Sequence, residues 1–255
     1  MQAQAAFGTD WTDAADYAAL VDADRSLFAW EWLRRDCAYR EAAAARLRRD
    51  SRGADPYAAD FGLVAFERPD LAVPLARPLW RSEAYPYVIA AGRGPASASA
   101  DAFDVERLRS IARLVADGAG EHLLLCDGLR AIRVDGFRGL FTGGAACLQY
   151  HLAGLVSAEP PLLTLRRFLA LCCGGKFSRS LHPPEVRARR WILMLQAFDA
   201  VVAGAGQREI AERLLSASAA APGWRDREPS LRSRAQRLVR SARQFARGAY
   251  RSLLV

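Results

Sequence analysis

The sequence predicts an α+β chain, mainly α, helical at both ends and with short β-hairpin elements in the middle. Three observations carry this. Apolar residues recur at helical spacing near the N-terminus (Tyr17, Leu20, Val21, Leu27, Phe28, Leu33) and again beyond residue 185. Between these regions, prolines and glycines cut the chain into short pieces, and Asp127-Gly128 stands between two runs of β-formers. At 255 residues, 51% of them hydrophobic, the chain can bury a core in one large domain or two small ones.

Taken in order, residues 10–49 read as a helix with Asp10 or Thr12 as N-cap. It carries the large aromatics Trp30, Trp32 and Tyr39, continues through residues 42–45 and stops at Ser51-Arg52-Gly53. From 55 to 95, Pro56, Gly62, Pro69, Pro74, Pro78, Pro86 and Gly92 exclude long helices and leave residues 79–80 and 87–90 as short strands. The small, polar stretch 92–100 reads as a linker. That divides the chain into a helical N-terminal interaction domain, 1–95, and a second domain, 101–255.

Residues 104–116 read as a short helix, and 122–126 with 131–134 as a hairpin turning at Asp127-Gly128. Residues 145–156 and 162–173 read as helices split by Pro160-Pro161. Beyond His182-Pro183-Pro184 three helices are expected: 185–203, stopped by Gly204 and Gly206; a short one, 207–215; and a long one, 230–253, with Ser230 as N-cap. A turn-rich stretch, 217–229, separates the last two.

Charge is distributed unevenly. Residues 183–255 hold 14 arginines against 6 acidic residues, which accounts for the whole formal charge of +8, so the rest of the chain is neutral. Such asymmetry points to a polyanion partner for the C-terminal part. In the last helix Leu231, Ala235, Leu238, Val239, Ala242, Phe245, Ala246, Ala249 and Leu253 share one face. Arg232, Arg237, Arg240, Arg243, Arg247 and Arg251 share the other, with Arg234 at the border. No acidic residue follows Glu228, so nothing on the helix neutralises that face.

The preceding string, residues 207–215, has the composition of the first helix of a helix-turn-helix. Ile210, Leu214 and Leu215 face inward, Ala211 permits close crossing, and Gln207 and Arg208 sit at the N-terminus where amides and side chains meet phosphates. An ordinary turn in that motif is about 3–4 residues; here the long segment carrying Trp224 and Arg225 to Arg227 intervenes. Trp224 is expected to pin the segment to the core. Double-stranded DNA is the expected partner, and the candidate contacts are Gln207, Arg208, Arg225, Arg227, Ser230, Arg232, Ser233, Arg234, Arg237 and Arg240.

The remaining composition excludes other classes. The five cysteines are odd in number and show no C-x-x-C spacing, which supports neither a disulfide framework nor a zinc site. His122, His151 and His182 have no carboxylate or cysteine at metal spacing, so no metal and no cofactor are expected. Residues 174–178 do not satisfy the phosphate-loop pattern, and Asp127 and Asp135 are explained by their Asp-Gly turns, so no enzyme is expected. The first ten residues lack signal-peptide character, no run of about 18 apolar residues occurs, and a cytoplasmic setting without membrane contact follows.

The C-terminal pattern resembles an extended-turn helix-turn-helix family of proteobacterial mobile elements. The matching residues are 208–212, a tryptophan-bearing gap, 230–234, 237–239 and 248–254. The N-terminal string Trp11, Asp13, Tyr17, Asp24-Arg25, 29–35 and Tyr39-Arg40 resembles the domain that precedes it in FseA-type activators of integrative and conjugative element transfer. The resemblance implies a transcriptional activator of excision and transfer genes whose N-terminal domain contacts one side of the helix-turn-helix. It also implies an antiactivator protein and RNA polymerase as partners. Trp11, Tyr17, Trp30, Trp32 and Tyr39 are the expected interdomain or partner residues. The competing reading is an antiactivator or adaptor that acts through protein contacts without binding DNA.

Overall fold

The computed structural model describes residues 6–47, 53–95 and 101–255, except the side chains of Ala6, Arg225 and Asp226. The expected stop at Ser51-Arg52 lies outside the described residues.

The expected single helix over 10–49 is three segments: a 3-10 helix, Ala14–Asp22, then α1, Arg25–Leu33, and α2, Cys37–Leu47. Each segment begins at an aspartate that competes for the backbone. Asp13 accepts from Ala15 N, Asp24 accepts from Leu27 N, and Asp36 Oδ1 accepts from Ala38 N at 2.8 Å. The N-cap is therefore Asp13, not Asp10 or Thr12, and Asp10 instead holds the Thr12 hydroxyl at 2.7 Å.

The middle of the chain is a six-stranded sheet, more extensive than short hairpin elements. Its strands are β1 Val88–Arg93, β2 Ala102–Phe103, β3 Ala112–Ala116, β4 Glu121–Cys126, β5 Ala131–Gly136 and β6 Ala146–His151, in the order β2-β6-β1-β5-β4-β3. The hairpin expected at Asp127-Gly128 is β4–β5, with Leu123 opposite Val134 and Leu125 opposite Ile132. β1 lies parallel to β5 and antiparallel to β6. The expected linker therefore begins inside a strand, since Gly92 pairs with Gln149, and the boundary drawn between 95 and 101 runs through one sheet. Residues 96–100 lie outside the described residues.

Two expected helices are corrected. Residues 104–116 form a short 3-10 helix, Val105–Leu108, capped by Asp104, and then β3. Residues 146–151 form β6: Leu148 and Tyr150 pack on the sheet core while Gln149 and His151 point out, an alternation of period two that outweighs helix propensity once β1 supplies a partner. Both sheet faces are covered. Ile89, Leu123, Leu125, Ile132 and Val134 pack with Phe168 and Leu171 of α3, Glu159–Gly174. Leu124, Cys126, Ala131 and Val115 pack with Val64, Ala65 and Leu79 on the opposite face. Pro160 and Pro161 open α3 instead of splitting two helices, because proline suits the first turn, where its missing N–H costs nothing.

The C-terminal helices are α4 Ala188–Val202, α5 Gln207–Leu214, α6 Trp224–Arg227 and α7 Pro229–Ala246, followed by a 3-10 turn, Ala249–Leu253. The largest core joins both ends of the chain: Leu27, Phe28 and Trp32 from the N-terminal helices bury against Trp191, Leu195, Ala242 and Leu253.

Candidate nucleic-acid interface

α7 is amphipathic as its spacing dictates. Leu231, Ala235 and Ala242 are buried, while Arg232, Arg234, Arg237, Arg240, Arg243 and Arg247 are exposed. Among the described side chains, none of these arginines has a carboxylate at ion-pair distance. From Arg232 to Arg247 the row spans roughly 22 Å at 1.5 Å per residue. α7 stands as a ridge with a basic furrow on each side. One furrow, a cleft of about 1130 Å³, lies against the α4–α5 junction and is lined by Gln207, Gln236, Arg240, Arg243 and Arg247 over Val201 and Ile210. The other, about 330 Å³, is lined by Arg190 of α4 with Arg234, Arg237 and Arg240.

The expected DNA residues divide into groups. Ser230, Arg232, Ser233, Arg234, Arg237 and Arg240 share the exposed side of α7, and Gln207 reaches the larger furrow from the first position of α5. Arg227 is exposed at the end of α6, and the side chain of Arg225 lies outside the described residues. Ser230 is not the N-cap: Glu228 holds that position without a side-chain cap, and Pro229 takes the first turn. Arg208 turns toward the intervening segment, donating from Nε to Ala219 O at 3.2 Å and from Nη2 to Ala220 O. Trp224 is 4% exposed and packs with Ala211, Ala219, Leu231 and Ala235, so the long segment is pinned as expected. Gly223 takes φ +71 to lead into α6, a backbone region open to glycine.

The aromatic residues expected between domains take two roles. Trp30 and Tyr39 serve the N-terminal part itself. They meet edge to face at 5.6 Å, Trp30 Nε1 donates to Leu71 O, and Tyr39 donates its hydroxyl proton to Glu67 O. Trp32, Tyr17 and Trp11 face the C-terminal helices. Trp32 packs at 5.9 Å from Phe198 of α4 and 5.5 Å from Phe245 of α7, Tyr17 donates to Asp199 Oδ2 at 2.6 Å, and Trp11 O accepts from Gln196.

Sequence reasoning missed Asp199, Arg35 and Glu31, which bind the two regions together. Arg35 donates from Nε and Nη2 to the two oxygens of Asp199, each at 2.7 Å, and from Nη1 to Glu31 Oε2 at 2.5 Å. Arg34 Nε joins at 2.7 Å from the same Glu31 oxygen, and Val73 N donates to the other. Burial disfavours the Arg35 guanidinium, but Asp199 and Glu31 together hold its pKa above the ordinary arginine range. Burial raises the Tyr17 hydroxyl, and the Asp199 charge raises it further. The available signal was a lone aspartate on the inward face of the apolar run 191–202. Arg190 was also missed, although Arg187, Arg189 and Arg190 cluster where α4 begins.

Residues 161–255 match a family described as "T6SS, Transcription factor, DNA binding domain", of the RovC type. Residues 10–63 match the proteobacterial transcriptional regulator-like domain. Neither match reaches the strands of the sheet. No curated protein and no solved structure matches the chain. The stretch similar to a transcriptional regulator-like domain and the stretch similar to a DNA-binding domain thus bracket the central sheet, and their helices pack into one core. No helix among the described residues is long and apolar enough to cross a membrane.

Proposed function

We propose that the chain is a sequence-specific transcriptional activator that binds duplex DNA through an extended-turn helix-turn-helix. α5 is the first helix, the segment from 215 to 228 is the extended turn, and α7 enters the major groove. The observation that carries this reading is the unneutralised arginine face of α7, whose opposite face is anchored in the core. A convex helix with an exposed cationic side fits a groove about 12 Å wide. Arg232, Ser233 and Arg237 are assigned to base edges. Gln207, Arg190, Arg234, Arg240, Arg243 and Arg247, which line the two furrows, are assigned to flanking phosphates. Arg227 and Ser230 extend the same exposed side toward the duplex.

The regulated genes are excision and transfer genes of a mobile element, as the likeness of residues 11–40 to FseA-type activators implies. RNA polymerase and an antiactivator are partners on the same ground. The reading is tested by gel shift of the purified protein on the promoter regions of its own mobile element, at two salt concentrations, against random duplex. Preferential binding that weakens with salt is expected. Absence of preference, or of binding, overturns the reading and favours the adaptor.

A further inference from the structure

We propose that Arg208 is a positioning residue of this interface: its guanidinium fixes the segment between α5 and α7 and does not meet a phosphate. The inference rests on the reading that α7 binds DNA. An arginine on the first turn of α5, the helix that begins the motif, invites assignment as a phosphate contact. The geometry points elsewhere. Residues Ala217–Ala220 form a 3-10 helix opened by Ser216, whose hydroxyl accepts from Ser218 N. The last carbonyls of such a helix have no donor within it. Arg208 supplies donors to two of them, Nε to Ala219 O and Nη2 to Ala220 O. A planar fork suits two adjacent carbonyls, and a cation suits the negative end of a helix.

What the fork fixes lies directly under the start of α7. Ala219 is fully buried, and with Trp224 it packs against Ala211 on α5 and Leu231 and Ala235 on α7. Ala211 lies one turn beyond Arg208 on α5, so the fork closes the α5 end of this small core. The core in turn decides where Arg232 and Ser233 stand on the first turns of α7. Releasing the fork loosens the placement of base-reading residues while leaving every phosphate contact of α7 available.

The test uses the full chain with Arg208→Ala and Arg208→Lys. The probes are a duplex selected from random sequence against the wild-type protein and an unselected duplex. Affinities are measured by fluorescence anisotropy across a salt series, with thermal melting alongside. In both variants affinity for the selected duplex is expected to fall about tenfold, the order of one lost base-reading contact. Affinity for the unselected duplex and its salt slope stay at the wild-type values. A phosphate contact gives the opposite pattern: the slope drops by about 0.9 in the alanine variant, affinity for both duplexes falls alike, and lysine, a point charge, restores both. That pattern overturns the proposal. Should the alanine variant fail to fold, the lysine variant decides alone, since loss of selectivity supports the fork and wild-type behaviour rejects it. Failure of the wild-type protein to select any duplex from random sequence defeats the DNA-binding reading itself, an outcome distinct from either pattern.

Discussion

Arg35 and Asp199, separated by 164 positions in the chain, meet through two parallel hydrogen bonds of 2.7 Å in a site from which water is excluded. The pair joins the N-terminal helices to α4 in the C-terminal part of the chain, and Tyr17 and Thr9 add donors to the same carboxylate. Asp199→Asn leaves the guanidinium buried opposite a neutral group and is expected to destabilise the protein by about 3–5 kcal/mol. Replacing both residues by apolar ones, Arg35→Met with Asp199→Leu, should cost much less than the two single changes added together. Urea denaturation of the four proteins measures this; additive costs would show that the two residues are not coupled.

Trp32 is the apolar counterpart of that bond, fully buried and set between Phe198 and Phe245. Trp32→Ala empties a large volume and is expected to cost about 3–5 kcal/mol. Because Phe245 lies on the buried side of α7, the same substitution should also weaken DNA binding in protein that remains folded. A destabilised variant with unchanged DNA affinity would mean that the N-terminal region does not support the position of α7.

Gly128 in the β4–β5 turn has φ +104, and a Cβ there would lie 2.6 Å from Pro74 O. Gly128→Ala is therefore strained in its backbone and blocked by a neighbouring chain segment. A loss of at least about 1–2 kcal/mol is expected from the left-handed conformation alone. Thermal melting checks it, and an unchanged midpoint would contradict the turn geometry.

His182 is buried against Phe177, its Nδ1 lies 3.0 Å from Ser178 O, and burial pushes its pKa down to about 4. The neutral ring is the folded form, donating from Nδ1. The unfolded chain binds the proton more readily, so this site's contribution is complete above the ordinary histidine value of 6.5 and is lost as pH falls toward 4. His122 acts in the opposite sense: its hydrogen bond to Asp135 raises its pKa, so it favours the folded state at acid pH and loses that contribution as pH rises. His182→Asn, which keeps a donor for Ser178 O, should lose less melting temperature than wild type between pH 7 and pH 5, and His122→Asn should lose more. Parallel pH profiles in all three proteins would contradict these assignments.

Much of the architecture was legible in the sequence wherever a local pattern agreed with its surroundings. The two-sided spacing of α7, the Asp-Gly hairpin and the small Ala211 in α5 all read directly. What was missed depended on distant partners. β6 reads as a helix until β1 lies beside it, and β3 reads as a helix until β4 does. The three aspartates at 13, 24 and 36 were available signals, since each stands at the start of a segment and the last two lie between segments, but a continuous apolar period obscured them. The exposed arginine face of α7 was legible from its spacing. The fate of Arg208 was not, because its carbonyl partners lie on a turn whose shape no local pattern specifies. The Asp199 bond was hidden for the same reason, its partner being 164 positions away.

Whether the arginine face of α7 holds DNA is read from the salt dependence of duplex binding by the wild-type protein and an Arg232→Ala/Arg237→Ala variant. The expected result is steep weakening of the wild type with salt, and a loss of affinity of at least about tenfold in the variant at an unchanged melting temperature. Equal affinity of the two proteins, or wild-type binding indifferent to salt, would contradict it.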